Sequence, residues 1–237
     1  MSSEFRFRSQ RELVSDSDLY DPNKLMRMPL CLCIDTSGIM GEYSEQLRGD
    51  IETLLNDICS DEFLNNCVEL GIYTFASQWK KVRDISIVKD TDSATLSLSF
   101  DRGTKHPDLA FCLDECMIDV ERRKKDYNVK MINYYKPHII VLGAAEPLKD
   151  SAWEEIVNRV GHKQKNGALS VIPIVIGEEK LEAYKQITED GLVYKGHISD
   201  LKDILKTVKN SMRKLSESSA TIYGKLNSMV SSWDKYL

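Results

Sequence analysis

The stretch Leu30-Cys31-Leu32-Cys33-Ile34-Asp35-Thr36-Ser37-Gly38-Ile39 decides how this chain is read. Its five apolar residues predict a buried strand, and Asp35-Thr36-Ser37-Gly38 predicts the loop at the end of that strand. The loop presents one carboxylate, on Asp35, and one hydroxyl, on Ser37. Ile39, the next side chain along, brings no oxygen.

Outward from this stretch, strands and amphipathic helices alternate. Leu47, Ile51, Leu54, Leu55 and Ile58 mark a helix face. Val68–Phe75 reads as a strand, with 81–88 as its neighbour. A helix is expected over about 107–125, striped by Leu109, Cys112, Leu113, Cys116 and Val120. His138–Leu142 and Leu169–Ile176 are further buried runs, with a helix at about 150–163 between them. A short helix from Lys180, the brief segment 192–194 and a helix from Asp200 to about Ser216 complete the series. This order predicts a single α/β domain: a doubly wound, mostly parallel six-stranded sheet with helices on both faces. Ligands of such sheets sit at the carboxyl ends of strands, where Asp35 lies. Residues 1–28 read as a polar arm, 29–217 as the domain, and 218–237 as an amphipathic helical tail carrying Ile222, Leu226, Met229, Val230, Trp233 and Leu237.

The chain has 237 residues, 42% hydrophobic and 29% charged, with a net charge of −5. The acidic balance argues against nucleic acid as a partner. No apolar run approaches the roughly 18 residues a membrane span needs. Met1–Gln10 lacks the apolar stretch of a secretory signal, so the cytoplasm is the expected location. None of the six cysteines forms a Cys-x-x-Cys pair, and all six read as reduced thiols, mostly in the core.

Three segments, in order, resemble the loops of the metal-ion-dependent adhesion site of von Willebrand factor A (VWA) domains. Asp35-Thr36-Ser37-Gly38-Ile39-Met40 is similar to that family's Asp-Thr-Ser-Gly-Ser-Met. Arg102-Gly103-Thr104 resembles its Gly-Gly-Thr, and Val141-Leu142-Gly143-Ala144-Ala145-Glu146-Pro147 resembles its Leu-Thr-Asp-Gly-Glu-Pro. The segments Met28-Pro29-Leu30, Tyr73-Thr74-Phe75-Ala76-Ser77 and Ser211–Ser216 resemble the bacterial TerY-like branch, associated with tellurite resistance and stress. The resemblance implies a five-position metal site. Asp35, Ser37 and Thr104 are kept, whereas Ile39 stands for serine and Ala144 for aspartate. A site stripped of one carboxylate and one hydroxyl is vestigial: no cofactor is expected beyond weakly held magnesium. Asp35 would then accept bonds from backbone amides, and Thr104 would cap the helix that follows.

The resemblance also implies a non-enzymatic protein-interaction module of a bacterial stress-response or signalling system. Its partner is another protein, with a kinase or a metal-dependent phosphatase of the same gene cluster as the leading candidates. The expected binding face comprises Ile39, Met40, Glu42, Lys105, His106, Asp108, Ala144 and Glu146. Two alternatives are a magnesium-dependent adhesion-type receptor and a phosphohydrolase using Asp35. The second is disfavoured, because such nucleophiles need an acid two residues on, where Ser37 stands. No nucleophile elbow, zinc-protease pair or phosphate-binding loop appears.

Overall fold

Strand β1 (Met28–Asp35) runs two residues longer at its start and one longer at its end than the apolar run alone, and all eight of its residues are buried. The computed structural model describes residues 26–177, 181–215 and 234–236. After β1 come helices α1 (Gly38–Gly41), α2 (Ser44–Ser60) and α3 (Leu64–Cys67), then β2 (Val68–Phe75), β3 (Trp79–Ile87) and α4 (Asp90–Thr95). They are followed by α5 (Leu109–Val129), β4 (His138–Gly143), α6 (Ser151–Lys165), β5 (Ser170–Ile176), α7 (Leu181–Gln186) and β6 (Val193–Gly196). The series closes with α8 (Leu201–Leu215) and β7 (Asp234–Tyr236).

The strands form one sheet in the order β3-β2-β1-β4-β5-β6-β7. The β2-β1-β4-β5-β6 block is parallel, and β3 and β7 pair antiparallel at the two edges. The chain leaves β1 for β2 on one side and returns to β4 on the other. The carboxyl ends of β1 and β4 therefore flank the switch point where such sheets place their ligands.

Alternation along β1 splits the core into two layers. Leu30, Leu32 and Ile34 pack with the apolar stripes of α2 and α8, including Ile51, Leu55, Leu205 and Val208. Cys31 and Cys33 face the opposite layer with Cys112, Cys116 and Val120 of α5 and Trp153 and Ile156 of α6. Both sheet faces are thus covered, which is why the central residues of the parallel strands are mostly apolar rather than alternating, with polar groups such as Glu69 and His138 near the strand ends.

The six expected strands are present as β1 to β6, and two details lie beyond that expectation. The sheet has a seventh strand: residues 234–236, expected in a helical tail, pair with β6 through Val193↔Tyr236 and Lys195↔Asp234. The open edge of β6 offers a row of backbone donors and acceptors, and strand pairing satisfies them. The remainder of the proposed tail, 216–233 and 237, and residues 1–25 of the arm lie outside the described residues. The arm also ends earlier than expected, since Met28 opens β1 and Arg27 bridges to Tyr134, its amide donating to the Asn133 carbonyl at 2.8 Å.

Candidate functional site: the rim at the carboxyl ends of β1 and β4

Asp35 is wholly buried at the last position of β1. Its Oδ1 accepts from the Ser37 amide at 2.8 Å, and its Oδ2 accepts from the amides of Ala144 and Ala145, each at 3.0 Å. A carboxylate filled by three backbone donors needs no counter-ion to satisfy its lone pairs. Burial still pushes its pKa above the usual value, and the Ser37 hydroxyl and the three amides recover only part of the shift. Although close enough to act on Asp35, the Ser37 Oγ makes no hydrogen bond of acceptable geometry; it is buried and orphaned.

Two glycines allow this packing. A Cβ on Gly38 would lie 2.6 Å from the Arg102 carbonyl oxygen, so only glycine lets the second loop approach the first. There the Gly38 amide donates to the Thr104 carbonyl at 3.1 Å, and the Asp101 amide donates to the Thr36 carbonyl at 2.9 Å. A Cβ on Gly143 would lie 2.1 Å from the hydroxyl of Tyr184, which donates to the Ala145 carbonyl at 2.7 Å. Tyr184, from α7, thus presses the end of β4 into place beneath Asp35.

Asp101 organises the second loop, and the sequence reading missed it. Its Oδ2 accepts from the Thr104 hydroxyl at 2.7 Å and the Ser77 hydroxyl at 2.5 Å, and its Oδ1 accepts from the Gly103 amide at 3.1 Å. The Ser77 and Thr104 hydroxyls lower its pKa, and the Gly103 amide adds to the effect. The usable signal was Asp101-Arg102-Gly103, an aspartate two residues ahead of a turn glycine. Thr104 therefore does not cap α5. That role belongs to Asp108, whose side chain accepts from the Phe111 amide at 3.2 Å. The third loop closes the group: the Leu148 amide donates to the Pro107 carbonyl at 2.9 Å, and His106 Nδ1 lies 3.3 Å from the Glu146 carbonyl oxygen.

The three loops thus converge, bringing Asp35, Ser37 and Thr104 to one rim. Of the expected binding face, Ile39, Glu42, Lys105 and His106 are exposed, whereas Asp108 and Glu146 are half-buried. Met40 and Ala144 are buried and leave the surface. The single turn of α1 swings Met40 inward to pack with the α2 stripe, and Ala144 is held under the loop by its bond to Asp35. In their place the same three loops and the first turn of α5 expose Tyr43, Leu148 and Phe111, with Ile39 the most open of the loop apolars at 53%.

As arranged, these residues do not fit a divalent cation. Both oxygens of Asp35 point at amide donors, the Thr104 hydroxyl is committed to Asp101, and Ile39 and Ala144 carry no donor atom. Only the Ser37 hydroxyl is left over, one neutral oxygen where magnesium asks for several oxygen ligands and carboxylate charge. Among the described residues, no cluster of three acidic, histidine or cysteine side chains close enough to share an ion lies at this rim.

At the level of sequence, no family model and no curated protein matches the chain. Solved structures do. A von Willebrand factor type A protein from Catenulispora acidiphila is 13% identical with a TM-score of 0.55, covering 76% of this chain and 41% of its own. Proximal thread matrix protein 1 from the mussel byssus, with a zinc-occupied adhesion-site motif, is 15% identical with a TM-score of 0.53, covering 78% of this chain and 47% of its own. A mutant PilB minor pilin from Streptococcus sanguinis is 14% identical with a TM-score of 0.56, covering 85% and 65%. The chain spans less than half the length of the first two. At these identities the likeness is one of architecture, and on it the chain has a VWA-like fold.

Proposed function

We propose that this chain is a non-enzymatic protein-interaction module that binds its partner through the rim around Asp35 without an intervening cation. One observation carries the reading: Ile39, 53% exposed, stands where the resembled pattern has a metal-ligating serine, beside a carboxylate already filled by amides. An apolar side chain held on a rigid loop contributes to binding by burial against a complementary surface. Tyr43, Leu148 and Phe111 extend the apolar character, and the exposed Glu42, Lys105 and His106 supply polar groups for orientation.

The absence of an acid partner for Asp35 supports a non-catalytic role. The residue is sealed from solvent, and a nucleophile has to reach its substrate. The free thiols suit a reducing compartment, consistent with action in the cytoplasm. The stress-response setting, and a kinase or metal-dependent phosphatase as partner, rest on the TerY resemblance alone.

The test immobilises the full chain and measures binding of candidate proteins encoded beside it, with and without a chelator. The reading expects binding that survives chelation and falls at least tenfold in Ile39→Asp, whose thermal stability is unchanged. Binding abolished by chelation would favour the adhesion-type receptor instead. Turnover of a phosphoester lost in Asp35→Asn would overturn the non-enzymatic reading.

A further inference from the structure

Four of the six cysteines meet across one interface, between β1 and α5. Cys31 and Cys33 are two apart on a strand and therefore share a face; Cys112 and Cys116 are four apart on a helix and share a stripe. All four are fully buried. The sulfurs of Cys33, Cys112 and Cys116 lie within 4.8 Å of one another, and Cys33 Sγ is 3.2 Å from Cys116 Sγ. Toward α2 and α8 the same strand offers Leu30, Leu32 and Ile34, so the choice of thiols is confined to the α5 side.

We propose that Cys33, Cys112 and Cys116, with Cys31 in reserve as a fourth sulfur, form a buried thiolate site for a thiophilic metal ion of the Cu(I) or Zn(II) type. Soft thiolate sets select these ions. Around an ion with metal–sulfur bonds of about 2.3 Å, ligand sulfurs stand about 3.8–4.0 Å apart. The triad brackets that spacing, with the Cys33–Cys116 contact at 3.2 Å and every pair within 4.8 Å. The surrounding layer is largely apolar, with Leu109, Leu113, Val120 and Val141, and the Tyr73 hydroxyl in the same layer is committed to Asp119 at 2.8 Å. Three sulfurs satisfy Cu(I) at low coordination, whereas tetrahedral Zn(II) would recruit Cys31.

Binding replaces S–H bonds by metal–sulfur bonds, one proton leaving to solvent for each ligating thiol, with no change of oxidation state. Because each ligating thiol must give up its proton, uptake strengthens as pH rises. Cys33 lies two residues before Asp35, and Cys112 lies one turn beyond the Asp108 cap. An ion here would staple together the two elements whose ends form the rim. The site stands whether or not the interaction reading holds.

The experiment titrates the reduced full chain, under anaerobic conditions, with Cu(I) in competition with a chelator and separately with Zn(II). Equimolar binding, thiolate-to-metal charge-transfer absorbance for Cu(I), and a raised melting temperature are expected. Cys33→Ala, Cys112→Ala and Cys116→Ala should each weaken binding at least tenfold, whereas Cys59→Ala and Cys67→Ala should not. Cys31→Ala separates the ions: Zn(II) binding falls while Cu(I) binding persists. Should a core variant fail to fold, protection of the triad from a thiol reagent in the metal-loaded wild type decides the matter. Absence of equimolar binding, binding indifferent to the triad, or conversion to a Cys33–Cys116 disulfide with no metal uptake would overturn the proposal.

Discussion

The two ends of the parallel strands hold buried charge in opposite ways. At the carboxyl end, Asp35 is satisfied by three neutral backbone amides. At the amino end, Glu69 of β2 is gripped by charge: Arg123 of α5 donates through Nε at 2.5 Å and Nη2 at 2.8 Å, the Tyr127 hydroxyl adds a bond at 2.5 Å, and Arg27 Nε stands 3.7 Å away. The amino end therefore ties β1, β2 and α5 together through side chains that must be present as a set. At the carboxyl end the buried charge of Asp35 is held by the chain's own backbone, which leaves Ile39, Glu42, Lys105 and His106 open to serve as surface. Charged side chains hold one end; backbone amides hold the buried carboxylate of the other.

The largest expected effect lies at the amino end and appears in acid. His138, the first residue of β4, is 2% exposed, and burial holds its pKa down to about 3. The unfolded chain takes up that proton near pH 6.5. The contribution is fully present above about pH 6.5 and drains away as the pH falls toward about 3, by on the order of 5 kcal/mol. Urea midpoints followed from neutral pH to about pH 4 should fall in the wild type and fall less steeply in His138→Leu.

Next comes the bidentate pair. Arg123→Ala leaves the buried Glu69 with only the Tyr127 hydroxyl and the more distant Arg27, and should cost about 3 kcal/mol by chemical denaturation. A loss below about 1 kcal/mol would erase the contrast between the two ends.

Asp35→Asn should cost less, about 1–3 kcal/mol, because an amide nitrogen would now face backbone donors. Its pH dependence has the opposite sign to that of His138. The folded-state pKa of Asp35 is raised from 3.8, so ionisation weakens the folded state as pH climbs through that window. The deficit of the variant should be greatest in acid and narrow toward neutrality. A deficit that grows with pH would mean that Asp35 is stabilised as an anion by something besides these amides.

Smallest of all is Ser37→Ala. Since the Ser37 hydroxyl is buried without a partner, removing it should change stability by no more than about 0.5 kcal/mol in either direction. A larger loss would mean that the hydroxyl donates to the Asp35 carboxylate beside it.

Much of this architecture was legible because burial on both faces leaves a local mark. The apolar runs at 30–34, 68–75, 138–142 and 169–176 became β1, β2, β4 and β5 with small changes of boundary. The loop after β1 and its meeting with Thr104 were legible for the same reason, since Gly38 and the segment 102–104 carry recognisable turn chemistry. What escaped depends on contacts between distant segments. Met40 sits in a polar-looking loop, and only the turn of α1 directs it inward. The strand at 234–236 answers to the open edge of β6, which no local pattern in the tail records. The sulfur cluster needs β1 laid against α5, residues 83 positions apart at Cys33 and Cys116. Spacing along either element alone suggested ordinary core residues.

Tyr184 carries a consequence of its own position. Its ring fills the space that any side chain at position 143 would need, and its hydroxyl holds the Ala145 carbonyl. Helix α7 therefore backs the cradle of Asp35 through one side chain. Were a molecule gripping the flank of the sheet to draw α7 outward, the amides of Ala144 and Ala145 would lose their backing. Asp35 would then keep one donor of three, and a sealed carboxylate would turn toward solvent. A single phenol thus joins the flank of the sheet to the loop that seals Asp35.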